Sequence, residues 1–136
     1  MSYAVSAALQ SAVYQHLQAD PALDALVGSA IYDAMPEGAL PSLYVSLGPE
    51  TATDRSDVTG SGSLHRFTVS VVSAAAGFAL AKQAAGAITD ALDMPLPLTR
   101  GTLVYLNFDR AVARRTGPAG SLRQIDLRFR ARVDDI

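Results

Sequence analysis

Between Leu64 and Leu92 the spacing of apolar residues changes once, from every second position to every third or fourth. Phe67, Val69 and Val71 alternate with Arg66, Thr68 and Ser70, the two-residue period of a strand buried on one face. Phe78, Ala81, Ala85, Ile88 and Leu92 then share one stripe of a helix. Only Ser73 to Gly77 separates the two patterns, which predicts a helix folded back onto its own sheet. The small Ala81 and Ala85 permit close approach, and no residue of this unit is chemically reactive. It reads as scaffold.

The same two periods divide the rest of the chain. Val5, Leu9, Ala12, Val13 and Leu17 lie on one helical face, with Gln10, Gln15 and Gln18 mostly opposite. This helix is predicted to begin near Ser2 and to stop before Asp20-Pro21, because a residue preceding proline avoids the α region. Asp20 then reads as the N-cap and Pro21 as the first position of a second, short helix. Leu23, Leu26 and Val27 form its apolar side, and Gly28 ends it. Ile31-Tyr32 is a brief strand, and Met35 to Pro41 a connector. Leu43, Val45 and Leu47 alternate with Tyr44 and Ser46 until Gly48-Pro49.

Glu50 to Ser63 has no periodicity. Its 14 residues exceed the usual connection, and such segments are functional or disordered. The expectation is a mobile hairpin extension at about residues 49–63, with Thr53, Asp54, Arg55, Asp57, Gly60 and Gly62 available for contact with another molecule. After a proline-rich break from Asp93 to Gly101, Val104, Leu106 and Phe108 alternate with Tyr105 and Asn107 on a third main strand that runs on, less regularly, toward Arg115. A turn at 116–121 leads to the clearest pattern in the chain. There Ile125, Leu127, Phe129, Ala131 and Val133 face the core, and Asp126, Arg128, Arg130 and Arg132 face away.

The predicted fold is therefore α+β, in the order α-β-β-α-β-β. Two main helices pack on one face of an antiparallel sheet of about four main strands. The 136 residues form a single domain, long enough to bury roughly 65–70% of the unfolded surface. There is no Cys, which excludes disulfides, thiolate metal sites and a thiol nucleophile. No apolar run approaches the roughly 20 residues that span a bilayer, and no basic stretch followed by an apolar core marks a signal peptide.

Charge adds an asymmetry. From Arg100 onward eight Arg face four Asp, whereas the first 99 residues hold three basic residues against nine acids. Such a dipolar chain can steer toward another copy of itself or toward a polyanion. Arg128, Arg130 and Arg132 project from one sheet face at about 6.5–7 Å intervals, with Arg114 and Arg115 nearby in the chain. Three readings stand for them. They form a solvated face whose stems shelter apolar neighbours, a subunit interface pairing with carboxylates, or a contact with nucleic-acid phosphates. On that face no aromatic residues interleave with them, and the pI is near 5.5, against sequence-specific nucleic-acid binding.

Enzymatic readings find little. His16 reads as a helix-surface residue and His65 as a strand-edge residue, and neither has the i, i+4 partner of a zinc helix. Gly60-Ser61-Gly62 lacks the frame of a nucleophile elbow and the Gly-Lys-Ser/Thr of a phosphate loop. Asp54 and Asp57 lie outside any EF-hand spacing. No catalytic residue, metal or cofactor is expected.

In order along the chain, Ala8-Leu9, Val13-Tyr14, Leu17, Ala19-Asp20, Leu23, Leu26-Val27-Gly28, Ile31-Tyr32-Asp33, Pro36 and Pro41 to Gly48 resemble the opening of a family of small phage tail-completion proteins. His65 leading into Phe67 to Val71, Gly77, Ala91-Leu92 and the closing Arg130-Ala131-Arg132-Val133 extend the resemblance over nearly the whole chain. Two features depart from the family: Pro41-Ser42-Leu43-Tyr44 stands where Pro-Tyr is frequent, and Ser73-Ala74 where a Trp is frequent. The resemblance implies a tail terminator of a long-tailed phage, prophage or gene transfer agent. It would form a ring, usually a hexamer, that caps the tail tube and offers a surface to the head connector or stopper. Its partners would be itself, the tube protein and the connector, with DNA only passing through the lumen and no membrane. It would sit at the tail–neck junction after assembly in the bacterial cytoplasm. The arginines are expected at the ring interface or the lumen, and the long loop against tube or connector. Other readings are another head–tail joining component, or an α+β domain that binds a small molecule in a deep apolar pocket.

Overall fold

A computed structural model describes residues 2–57 and 60–135. The elements are α1 (Ala4–Ala19), α2 (Pro21–Val27), β1 (Ile31–Tyr32), β2 (Leu43–Asp54), β3 (Gly62–Ser73), α3 (Ala79–Ala91), β4 (Thr102–Thr116) and β5 (Leu122–Asp134). One 3₁₀ turn, Pro118–Gly120, joins the last two. The strands form one five-stranded sheet in the order β1-β2-β3-β5-β4. All neighbours are antiparallel except β1, which pairs parallel to β2 through Ile31↔Val45 and Tyr32↔Ser46. The α+β class stands, with five strands and three helices in place of about four and two.

The helices follow the expected stripes. Val5, Leu9, Val13 and Leu17 of α1 and Ala81, Ala85 and Ile88 of α3 are buried, and Ala84 joins them. Asp20 caps α2 by accepting the Leu23 N–H at 2.9 Å, and Gly28 ends it at φ +60°. Beneath them Val69 and Val71 of β3 meet Ile125, Leu127, Phe129, Ala131 and Val133 of β5 in one core. Truncating one of these larger side chains to Ala would cost about 2–5 kcal/mol. Phe129 is flanked on the helix side by Phe67, stacked at 5.4 Å, and by Phe108, edge-on at 5.8 Å.

Three expectations are corrected. First, Gly48-Pro49 does not end β2. A bulge between Leu47 and Glu50 absorbs the proline, and pairing resumes from Glu50↔Phe67 to Asp54↔Ser63. Thr53, Asp54 and Gly62 are thus strand residues. The connection shrinks to residues 55–61, of which Val58 and Thr59 lie outside the described residues. Second, His65 is no edge residue but 0% exposed in the middle of the sheet. His16 is half-buried rather than a surface residue, its Nε2 lying 2.8 Å from the Ala91 carbonyl oxygen. Third, Val104 occupies a bulge of β4 that breaks the alternation with Leu106 and Phe108, and is 53% exposed. Phe108 keeps the core side yet is 49% exposed, because the helices do not reach across β4.

Candidate assembly surfaces

The cross-strand register sorts the arginines. On the face away from the helices Arg66 lies opposite Arg130, and Arg128 opposite Arg110. Four guanidinium groups thus occupy adjacent positions on β3, β5 and β4, where like charges repel. Among the described residues none of the four forms a salt bridge, and the Nε of Arg130 is buried with no hydrogen-bond partner. Asp109, in the second bulge of β4, lines the same hollow as Arg66, Arg110 and Arg128.

The other predicted arginines differ. Arg114 donates to Asp126 at 3.1 Å, and that carboxylate also accepts from Ser70 at 2.7 Å and Gln124 at 2.8 Å. Burial alone would raise the Asp126 pKa, but the hydrogen bonds from Gln124, Ser70 and Arg114 outweigh it and hold the carboxyl below its usual range. Arg132 donates to Asp134 and to the Arg55 carbonyl oxygen, both at 3.1 Å. Its guanidinium crosses so close over Gly62 that a Cβ there would collide with it. Arg115 pairs in register with Arg123 on the helix side, away from the cluster. Of the five arginines expected to act together, Arg115, Arg128 and Arg130 have no salt bridge among the described residues, and only Arg128 and Arg130 share the face away from the helices. Arg66 and Arg110 join them, and strand parity across a neighbouring pair was the signal that would have found both.

At the hairpin tip Asp54 accepts the Ser56 N–H at 2.9 Å and its hydroxyl at 2.6 Å, and these bonds lower its pKa. Asp57 accepts the Gly60 N–H at 2.7 Å. The two carboxylates thus serve the local turn. Among the described residues no group of three His, Asp or Glu converges as a metal site.

A buried polar cluster escaped the sequence reading. Ser63 Oγ lies 2.7 Å from His65 Nε2, His65 Nδ1 lies 3.2 Å from Glu50 Oε1, and Ser6 of α1 donates to both Glu50 oxygens. The order Ser-His-Glu matches a hydrolytic triad, but Ser63 is 1% exposed, so no substrate carbonyl can reach its hydroxyl. A neutral imidazole donating from Nδ1 to Glu50 and accepting at Nε2 from Ser63 satisfies every member. It is a lock between α1 and the sheet.

Both sheet edges are open. β4 is 15 residues long and carries Val104, Tyr105 and Phe108 exposed. At the far side β1 covers only Val45 and Ser46, leaving Leu47 to Asp54 bare. Between α1 and this stretch lies a small apolar notch of about 30 Å³, lined by Leu9, Val13, Leu47, Gly48, Glu50 and Phe67 among others.

With these surfaces in view, residues 11–134 match the family described as tail completion protein gp17. The chain belongs to the tail completion protein gp17 family. A solved chain from the virion of a native gene transfer agent particle superposes on this tail completion protein with a TM-score of 0.92 and 58% identity, covering 98% of this chain and 99% of that one. No curated protein matches it.

Proposed function

We propose that this tail completion protein is a structural component of a phage-like virion, sited at the tail–neck junction. Copies of it form a ring, a hexamer, that caps the tail tube and presents a surface to the head connector. The kinship with a virion chain over nearly all of both lengths is the observation that carries the reading. The surfaces agree with it: two different open edges supply the head-to-tail contact a ring needs, and the buried Ser-His-Glu cluster is closed to substrates. In such a ring the helices face outward and the arginine face lines the lumen. Arg66, Arg110, Arg128 and Arg130 then attract the phosphates of DNA in transit, a contact that is salt-dependent and indifferent to sequence. The hairpin tip, with Arg55, Asp57 and Gly60, reaches the tube or connector.

Purified protein is expected to show rings with a central hole by electron microscopy and to add to one end of purified tail tubes. Reversing Arg66, Arg110, Arg128 and Arg130 to Glu should leave the rings intact and reduce DNA delivery by the particle. Solitary molecules that ignore tail tubes at every concentration would overturn the assignment. Rings with undiminished DNA delivery would return the arginines to plain surface.

A further inference from the structure

We infer that neighbouring copies join by annealing the open edge of β4 to the bare stretch of β2 on the next copy, Phe108 of one docking at the apolar notch of the other. The inference rests on the ring reading and specifies its contact.

Edge strands of proteins that remain solitary are short, charged or covered. β4 is neither short nor covered: it is 15 residues long, and its uncharged part from Thr102 to Phe108 carries Val104, Tyr105 and Phe108 exposed. Its helix-side positions Ala111 and Ala113 are also exposed, since no helix lies over them. A second strand would satisfy the free row of backbone N–H and C=O groups, as in peptide recognition by strand addition.

Strand direction selects which edge can serve. β2 and β5 run one way, β3 and β4 the other. Repeating the molecule by rotation about an axis along the strands therefore brings β4 against β2 antiparallel, the more stable pairing. A two-fold contact of β4 with itself would instead oppose Arg110, Arg114 and Arg115 to the same three arginines. The β2 stretch from Leu47 to Asp54 carries no basic residue and brings no such repulsion. Side-chain placement agrees as well. The register Phe108↔Phe129↔Phe67↔Glu50 puts Phe108 on the same face and at the same height as Glu50, a wall of the notch. One edge thus offers a half-exposed ring, and the other an apolar recess beside α1.

The cysteine-free chain makes the test clean. Three variants are compared with the parent by sedimentation: Phe108→Ser, Val104→Lys, and the double variant Thr51→Cys/Asn107→Cys, whose two exposed positions lie level in the register, treated with a short bismaleimide. Val104 has no core contact to lose, so its variant covers the case in which Phe108→Ser disturbs the fold. The expected result is a parent ring, a rise of about tenfold or more in the dissociation constant for both single substitutions, and a covalent ladder up to ring size from the double variant. Parent rings with unaffected variants and no ladder would overturn this contact and leave the ring standing. Covalent dimers from Asn107→Cys alone would overturn it in favour of two-fold pairing. Variants that form normal rings but fail to add to tail tubes would overturn it by assigning the edge to the tube protein. A parent that never forms rings would sink the ring reading itself.

Discussion

Glu50 ties three segments of chain together. Its carboxylate takes the Ser6 hydroxyl from α1 and faces His65 of β3, which in turn meets Ser63. Removing one member leaves the others buried without partners, and that asymmetry governs the cost. Glu50→Ala is expected to lower stability by about 1–3 kcal/mol in chemical denaturation. The neighbouring exposed Thr51→Ala should stay within about 0.5 kcal/mol. Equal effects would show that the cluster contributes nothing beyond ordinary surface contacts. The same residues explain what the sequence concealed. Ser63 and His65 continue the inward parity of Phe67, Val69 and Val71, and Glu50 lies opposite Phe67. Because the inward face turns polar at this end, the apolar alternation that announces a strand fades while the strand continues.

At the scale of elements, β5 and the helices were legible because apolar and polar positions alternate over their whole length. The hairpin was not, for the reason just given, and because Pro49 is housed in a bulge rather than ending its strand. β4 differs again: an edge strand beyond the reach of the helices keeps the alternation without the cover, and its bulges at Val104 and Asp109 shift it. The arginine stripe on β5 was visible, but its neighbours on β3 and β4 depend on register, which no single segment encodes. The corrected hairpin yields its own prediction. Replacing residues 55–61 with Asn-Gly should change stability by no more than about 1 kcal/mol, since a shorter loop costs less entropy to close. Attachment to tail tubes should fall sharply. Cutting the longer span from Thr53 to Gly62 also removes the pairs Thr53↔Leu64 and Asp54↔Ser63, so it should destabilise the monomer by clearly more. Equal melting temperatures for the two deletions would show that those pairs carry no weight.

For the whole molecule, three carboxylates titrate below their usual range. Asp54 is held down by Ser56 and Asp135 by Arg100, while at Asp126 hydrogen bonds from Gln124, Ser70 and Arg114 overcome burial. A depressed folded pKa means the unfolded chain takes up protons first as pH falls. The stabilisation is therefore complete above the unfolded value, about 3.9 for Asp, and is lost as pH drops through the lower folded values. Thermal melts should show a plateau at neutral pH and a decline beginning near pH 5. Asp126→Asn is expected to shrink that decline; an unchanged profile would place the acid sensitivity elsewhere. The dipolar distribution of charge, legible from the order of residues along the chain, becomes spatial here, with Arg66, Arg110, Arg128 and Arg130 gathered on the sheet face that the helices leave open.

β1 contributes two residues and no more. Were it extended by three or four paired positions along β2, it would occupy the rail that a neighbour is inferred to use and produce a permanently solitary molecule. On that inference the brevity of this smallest strand is an omitted stopper, and a β1 lengthened by design would keep the molecule solitary.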